Sequence, residues 1–114
     1  MLDQAKEYLR KLVDLHNKKL VAIGYQKLSV TGTVATLTIP SEASYAEFKL
    51  ESADSGIAAR YLICGGSTGT PAVADGISLS TLDVFDVNGR ENLRNFKIIR
   101  VQSGTTTLHV QYFK

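Results

Sequence analysis

From residue 25 onward, the sequence alternates polar and apolar side chains in short runs that turn residues interrupt. In residues 105–113 the apolar positions are Leu108, Val110 and Tyr112, and His109 falls on the opposite, more polar face. Alternation with a period of two is typical of a β-strand that is buried on one side. About seven or eight such runs predict a mainly β protein, an antiparallel β-sandwich of the jelly-roll or immunoglobulin-like kind.

Two short connections that contain glycine predict β-hairpins, because glycine is common in tight turns between alternating runs. The first connection is Thr31-Gly32, between runs 26–30 and 34–39, and the second is 102–104, between runs 92–101 and 105–113. Each hairpin would place two successive runs side by side in one sheet.

The middle of the sequence predicts further short strands. Residues 44–52 alternate as a half-buried strand, and residues 57–64 supply another. A third run has its apolar positions at Leu79, Leu82, Val84 and Val87 and predicts one or two strands. These strands would fill the sandwich between the two hairpins.

The first part of the sequence has a helical period instead. Its apolar stripe recurs at intervals of three and four residues, and charged residues occupy the other face. The stripe consists of Leu2, Ala5, Leu9, Leu12, Val13 and His16. This pattern predicts one amphipathic helix of about four turns ahead of the sandwich. The predicted organisation is therefore an N-terminal helix or attachment arm at residues 1–24 and a β-sandwich domain at residues 25–114.

Charge is unevenly distributed along a chain whose net charge is only +2. Residues 1–27 carry six basic and three acidic side chains, residues 28–86 carry two and seven, and residues 87–114 carry five and one. Such polarity would help copies of the chain, or oppositely charged neighbours, to associate, although charges also simply coat exposed surfaces. The basic segments lack a dense cluster with interleaved aromatic residues, so no nucleic-acid partner is expected. The apolar runs are too short for a membrane span, and none is expected.

The glycine-rich stretch at residues 58–76 admits three interpretations. A phosphate-binding loop would need a lysine directly after its last glycine and then a helix, and neither is present. A reactive Cys64 would need a neighbouring base, and His16 and His109 are the only histidines. We therefore expect a buried Cys64 thiol and an exposed structural loop that joins two strands, which remains available as a contact surface.

The sequence offers no support for catalysis or for a cofactor. One cysteine and two histidines give no disulfide and no ligand spacing for a metal. The acidic residues show no paired-carboxylate motif. We expect a protein that is not an enzyme and has no cofactor and no metal; a small enzyme built on Cys64, His16 and His109 is an alternative.

Residues 30–113 carry turn and core residues in a recurring order. The matching positions are Ala59-Arg60-Tyr61, Gly65-Gly66, Thr70-Pro71, Gly76, Leu79, Asn95-Phe96, Ile98, Leu108, Val110 and Tyr112. This order resembles a group of small virion proteins of tailed bacteriophages, in which a helix or arm precedes a compact β-domain. The chain departs from that group at Cys64, where Asp-Gly often follows the Arg-Tyr strand, and at Pro71-Ala72, where Pro-Thr is usual.

The resemblance implies a multi-copy, non-catalytic component of the virion that decorates the capsid or forms part of a head fibre, the neck or the tail. Its partners would be other virion proteins, such as the major capsid, portal or tail proteins, and further copies of itself, with a trimer favoured. It would be assembled in the host cytoplasm. The expected interface residues are Leu2, Ala5, Leu9, Leu12, Val13 and His16 on the helix and Arg60, Arg90 and Arg94 on the β-domain.

Two alternatives stay open at this stage. The helical stripe would equally cover one face of its own sandwich, since most such stripes are intramolecular. The sandwich would also suit a carbohydrate- or receptor-binding module, although sugar platforms usually expose several aromatic rings. With no tryptophan in the chain, the candidates for that platform are Tyr25, Tyr45, Tyr61, Phe85 and Tyr112.

Overall fold

The computed structural model describes residues 5–6, 20–64 and 70–114. Over these residues the chain forms eight strands and a five-residue helix, α1. In chain order they are β1 Ala22–Val30, β2 Ala35–Thr36, β3 Tyr45–Ser52, β4 Ile57–Ile63, β5 Ile77–Ser80, β6 Val84–Asn88, α1 Arg90–Arg94, β7 Phe96–Arg100 and β8 Thr106–Phe113. The predicted N-terminal helix lies outside the described residues, apart from Ala5 and Lys6, and stays a prediction.

The strands form two antiparallel sheets of four strands each, and the predicted sandwich of two antiparallel sheets is confirmed. The first sheet has the order β1-β8-β3-β6, and the second has the order β2-β7-β4-β5. Alternation positions the core as the sequence predicted. In β3, for example, Ala46, Phe48 and Leu50 are buried while Glu47 and Glu51 on the other face are exposed.

The core between the sheets is centred on stacked aromatic rings. Phe48 and Phe85 belong to the first sheet, and Tyr61 and Phe96 belong to the second. The ring centroids of Phe48 and Phe96 are 5.0 Å apart, and those of Tyr61 and Phe85 are 4.8 Å apart. These contacts tie the two sheets together, because aromatic pairs stabilise beyond the area that they bury.

Both predicted hairpins are wrong. β1 pairs with β8 in the first sheet, while β2 pairs with β7 in the second. β7 and β8 also lie in different sheets. Thr31-Gly32 and residues 102–104 are therefore corners at which the chain crosses from one sheet to the other. The turn residues are those of a hairpin, but strand pairing is decided by partners more than seventy residues away, such as Tyr25 and Gln111.

The run with apolar positions at Leu79, Leu82, Val84 and Val87 forms two strands, β5 and β6, within the predicted one or two. Leu82 lies in the turn between them and Val84 on the outer side of β6, and their side chains are 64% and 71% exposed. One further local prediction is wrong. The run predicted as a strand from residue 92 begins instead with α1, and the strand starts at Phe96. Leu93 of α1 is fully buried, so the helix also contributes to the core.

The domain begins earlier than the alternation indicated. β1 starts at Ala22, within the segment predicted as an arm. Just before it, Val21 and Lys114 exchange backbone hydrogen bonds of 3.2 and 3.0 Å. Because β1 is an edge strand of the first sheet, the preceding chain enters the domain beside the end of β8.

Candidate functional site

The outer face of the first sheet is polar and carries the candidate site. Strand alternation directs the side chains opposite to the core into solvent. The side chains of this face are Tyr25, Lys27 and Ser29 of β1, Thr107, His109 and Gln111 of β8, Glu47, Lys49 and Glu51 of β3, and Val84 and Asp86 of β6. Register fixes their neighbours: His109 lies opposite Lys27 on one side and Lys49 on the other.

Three of these side chains form a connected row. The Tyr25 hydroxyl lies 2.5 Å from Nδ1 of His109, and the two rings stack with centroids 6.0 Å apart. The Nε2 atom of His109 lies 3.3 Å from a carboxylate oxygen of Glu51. That approach is within ion-pair distance but lacks hydrogen-bond geometry, so Nε2 is buried without a hydrogen-bond partner. The row holds the Tyr25 ring and the Glu51 carboxylate in fixed positions on either side of the imidazole.

A shallow groove opens beside Glu51 at the end of the sheet. It encloses about 400 Å³ and is lined by Glu51, Ser52, Ala53, Thr81, Leu82, Thr105 and Thr107. Polar and apolar surface contribute about equally to this lining: hydroxyl groups and a carboxylate supply polar atoms, and the exposed Leu82 side chain supplies apolar ones. The groove thus combines hydrogen-bonding groups with one apolar surface.

The backbone around the groove is held by specific hydrogen bonds. The Leu82 amide donates to the Leu50 carbonyl at 2.6 Å, and the Ser52 amide donates to the Thr81 hydroxyl at 2.9 Å. These bonds fasten the β5–β6 turn to β3. Within the turn Leu82 adopts φ 72°, a left-handed conformation that is unfavourable for a leucine. The hydrogen-bonded turn thus positions the exposed, apolar Leu82 side chain at the groove.

Ser52, one of the lining residues, also belongs to a second network of hydroxyl groups. The Ser52 hydroxyl lies 2.9 Å from that of Thr106, and the Thr106 hydroxyl donates to the Gly104 carbonyl at 3.1 Å. Asp54 accepts a bond from the Gly104 amide at 2.8 Å, which fixes the corner before β8. The lining is therefore organised without a ligand, which reduces the entropy cost of binding one.

Elsewhere on the same face, Tyr45 is engaged within the chain. Its hydroxyl donates to Asp86 at 2.9 Å, and its ring lies against Phe113 with centroids 5.7 Å apart. Burial and, next, the hydrogen bond to Asp86 raise the pKa of Tyr45 to about 12. Tyr45 therefore stays neutral and anchored, which leaves Tyr25, 59% exposed, as the accessible tyrosine of the face.

The predicted interface arginines have separate positions. The Arg60 guanidinium donates to the carbonyls of Val73 and Gly76 at 3.0 and 2.9 Å. The Arg90 guanidinium donates to the carbonyls of Pro40 and Ala43 at 3.0 and 3.1 Å. These two arginines secure loops of their own chain. Among the described residues, Arg94 pairs only with Glu91 of the same helix, at 3.1 Å, and its side chain is 59% exposed.

Of the predicted helical interface residues, the structure describes only Ala5. Ala5 is exposed, and the other helical positions lie outside the described residues: Leu2, Leu9, Leu12, Val13 and His16. Their proposed role as an interface stays a prediction.

The glycine-rich stretch joins two neighbouring strands, β4 and β5, which pair in the second sheet. Cys64 is a buried, free thiol, as predicted, and its amide donates to the Asn95 carbonyl. Ala72 and Asp75 exchange two backbone hydrogen bonds and form a turn before Gly76. Gly76 has φ 126°, a conformation that favours glycine. Residues 65–69 lie outside the described residues.

Three of the aromatic residues proposed for a sugar platform are not available. Tyr112 is 1% exposed, and Tyr61 and Phe85 pack against the core. Tyr25 and Tyr45 do lie on the outer face. The sequence did not predict that Glu51, Leu82 and Thr107 lie together, because they come from two separate strands and a turn. The alternation did place His109 on the polar face.

What the site can do chemically follows from its groups. Carboxylate, hydroxyl and imidazole groups accept and donate hydrogen bonds, and Leu82 and Tyr25 present apolar surfaces.

Within residues 5–6, 20–64 and 70–114, no group of three His, Cys, Asp or Glu side chains is placed to hold a metal ion. No helix among these residues is long and apolar enough to cross a membrane.

No protein-family model, curated protein or solved structure matches this chain.

Proposed function

We propose that the chain is a multi-copy, non-catalytic structural protein of a bacteriophage particle, and that its sandwich is a jelly roll. The observation that carries the proposal is the strand order, β1-β8-β3-β6 facing β2-β7-β4-β5. A jelly roll interlocks two Greek keys in this way, whereas an immunoglobulin-like domain places successive strands together in one sheet. Jelly rolls recur in viral capsid proteins and in lectins. The sequence resemblance to small virion proteins favours the first of these uses.

The domain's connections support a role as a displayed building block. Apart from the link between β4 and β5, successive described strands lie in opposite sheets, so the two sheets are interlocked by the chain itself. The N-terminal segment joins at the edge strand β1, next to the chain's last strand. A helix there would attach the domain to other virion proteins or bundle with copies of itself, with a trimer favoured, and leave the outer face of the first sheet clear.

Particle association is the test. Phage particles would be purified on a density gradient from the host that carries this sequence, and each fraction would be probed with an antibody against residues 20–114. We expect the protein to co-sediment with intact particles after a high-salt wash. Recovery only at the top of the gradient, with the soluble proteins, would contradict the proposal.

The contribution of the N-terminal segment is tested with a shortened chain. A chain that starts at Leu20 keeps every described strand. We expect it to unfold at the same temperature as the full chain but to be lost from the particle fraction. If the shortened chain instead fails to fold, the helix covers its own sandwich, which was the alternative interpretation of the stripe.

Carbohydrate recognition is the second candidate function. The specific observation in its favour is the hydroxyl-lined groove beside Glu51, on a face that also exposes Tyr25.

A further inference from the structure

We propose that the groove beside Glu51 is a binding site for a neutral saccharide, with a second sugar ring extending over His109 toward Tyr25. This site does not depend on whether the chain is part of a virion, since it rests only on the outer face of the first sheet.

The polar lining matches the chemistry of a sugar. A saccharide presents several hydroxyl groups, each of which donates one hydrogen bond and accepts others. The Glu51 carboxylate accepts, and the hydroxyl groups of Thr105 and Thr107 both donate and accept. Glu51 lines the groove with a side chain that is 56% exposed, and its approach to His109 is an ion-pair contact without hydrogen-bond geometry. Bonds to a charged acceptor are the stronger kind.

The apolar groups match the other surface of a sugar. A pyranose ring has a face of C–H groups that packs against aliphatic and aromatic side chains. Leu82 forms one wall of the groove, and its left-handed backbone keeps the side chain exposed. An exposed leucine in a strained turn gives little to folding, which leaves this side chain free for a contact outside the folded chain. Tyr25 supplies a ring surface farther along the face.

The size of the groove and the charge of Glu51 further limit the class of saccharide that we expect to bind. A volume of about 400 Å³ is at the lower end of small-molecule sites and suits one or two sugar rings. From the groove to Tyr25 the contacts are continuous: Glu51 to His109 at 3.3 Å, and His109 to the Tyr25 ring at 6.0 Å between centroids. Because Glu51 repels anions at the groove itself, we expect neutral sugars to bind in preference to sialylated or uronic-acid glycans.

The experiment uses the full chain, fluorescently labelled, on an array of neutral and acidic glycans that includes bacterial surface polysaccharides. The strongest neutral glycan is then titrated by calorimetry against the wild type and two variants, Glu51→Gln and Thr107→Val. Each variant keeps the side chain's shape and removes a charge or a hydroxyl group. We expect Glu51→Gln to weaken binding about tenfold, as for a lost bond to a charged group.

Two matched variants serve as controls. Glu47→Gln makes the same change on the same face and strand, away from the groove, and Thr36→Val removes an exposed hydroxyl from the second sheet. The glycan affinity of both control variants should stay within about twofold of that of the wild type. All four variants should unfold at the wild-type temperature. Failure of the wild type to bind any neutral glycan would overturn the proposal, as would equal losses in the Glu47→Gln and Glu51→Gln variants. Either result would leave the particle-association test unaffected.

Discussion

Phe48 of the first sheet and Phe96 of the second stack across the sandwich, with their rings 5.0 Å apart and inclined by 19°. Both side chains are fully buried, at 1% and 0% exposure. The pair links the two sheets directly. Four aromatic rings from four different strands meet there, so the core depends on long-range pairing of the sheets and not on any one local turn.

Removing the Phe96 ring should therefore destabilise the whole domain. We expect Phe96→Ala to lower the free energy of unfolding by about 3–5 kcal/mol, because it leaves a cavity between the sheets. Val84→Ala is the control, since Val84 is 71% exposed, and its effect should stay within about 0.5 kcal/mol. Urea unfolding of both variants gives the comparison. Equal effects at the two positions would contradict the described core.

Arg90 should stabilise the fold and Arg94 should not. Arg90 donates to two carbonyls of the loop before β3, at Pro40 and Ala43, whereas Arg94 pairs with an exposed glutamate. We expect Arg90→Met to cost about 1–3 kcal/mol, since two carbonyls lose a charged donor. Arg94→Met should cost at most about 0.5 kcal/mol. Thermal unfolding measured by circular dichroism distinguishes them, and a larger loss for Arg94→Met would show that the loop contacts are wrong.

Stability should fall in alkaline solution as the buried tyrosines ionise. Burial raises the pKa of Tyr112 from 10.0 to about 12, and its hydroxyl donates to Gln26 at 2.6 Å. The folded state favours the neutral phenol of Tyr112. The stability that Tyr112 contributes is therefore complete below pH 10 and is lost as the pH rises toward 12. The free energy of unfolding, measured by urea titration, should therefore decline across that window.

Tyr112→Phe provides the control for this pH dependence. The variant should be less stable than wild type near neutral pH, by about 1 kcal/mol for the lost hydrogen bond. Its further decline between pH 10 and 12 should be smaller than that of the wild type, since one raised pKa is gone. A decline as steep as the wild type's would mean that Tyr112 does not govern alkaline stability.

Leu82 should show opposite effects on stability and on sugar binding. Leu82 and Glu42 both have left-handed backbones, with φ of 72° and 73°. Asparagine tolerates this conformation better than either residue, so Leu82→Asn and Glu42→Asn should each stabilise the chain, by about 0.5 kcal/mol. Only Leu82→Asn removes a wall of the groove, and only it should weaken glycan binding. Unchanged binding by Leu82→Asn would contradict the role given to that side chain.

Much of the fold was predictable from local pattern. The alternation in residues 105–113 placed Leu108, Val110 and Tyr112 in the core, and all three are buried. The same reasoning held for Phe48 and its neighbours in β3. Period-two alternation is a reliable guide here because each sheet has one buried face and one solvated face.

The pairing of strands was not predictable in the same way. Thr31-Gly32 has the composition of a hairpin turn, but a turn of that composition also suits a corner between sheets. Whether the turn is a hairpin or a corner depends on β8, which lies between β1 and β3 and pairs with β1 in the first sheet. The candidate site was unpredictable for the same reason. Tyr25 and His109 are hydrogen-bonded although 84 positions separate them in the sequence, and no local pattern indicates that they meet.

We propose that this β-sandwich domain is a repeated structural part of a phage particle. The most direct measurement is the absolute quantity of the protein in purified particles, determined by mass spectrometry with isotope-labelled peptides and expressed per copy of the major shell protein. The account predicts a fixed ratio that corresponds to many copies per particle and does not change on repeated purification. A ratio that falls toward zero with each purification step, while the protein remains abundant in the soluble lysate, would contradict it.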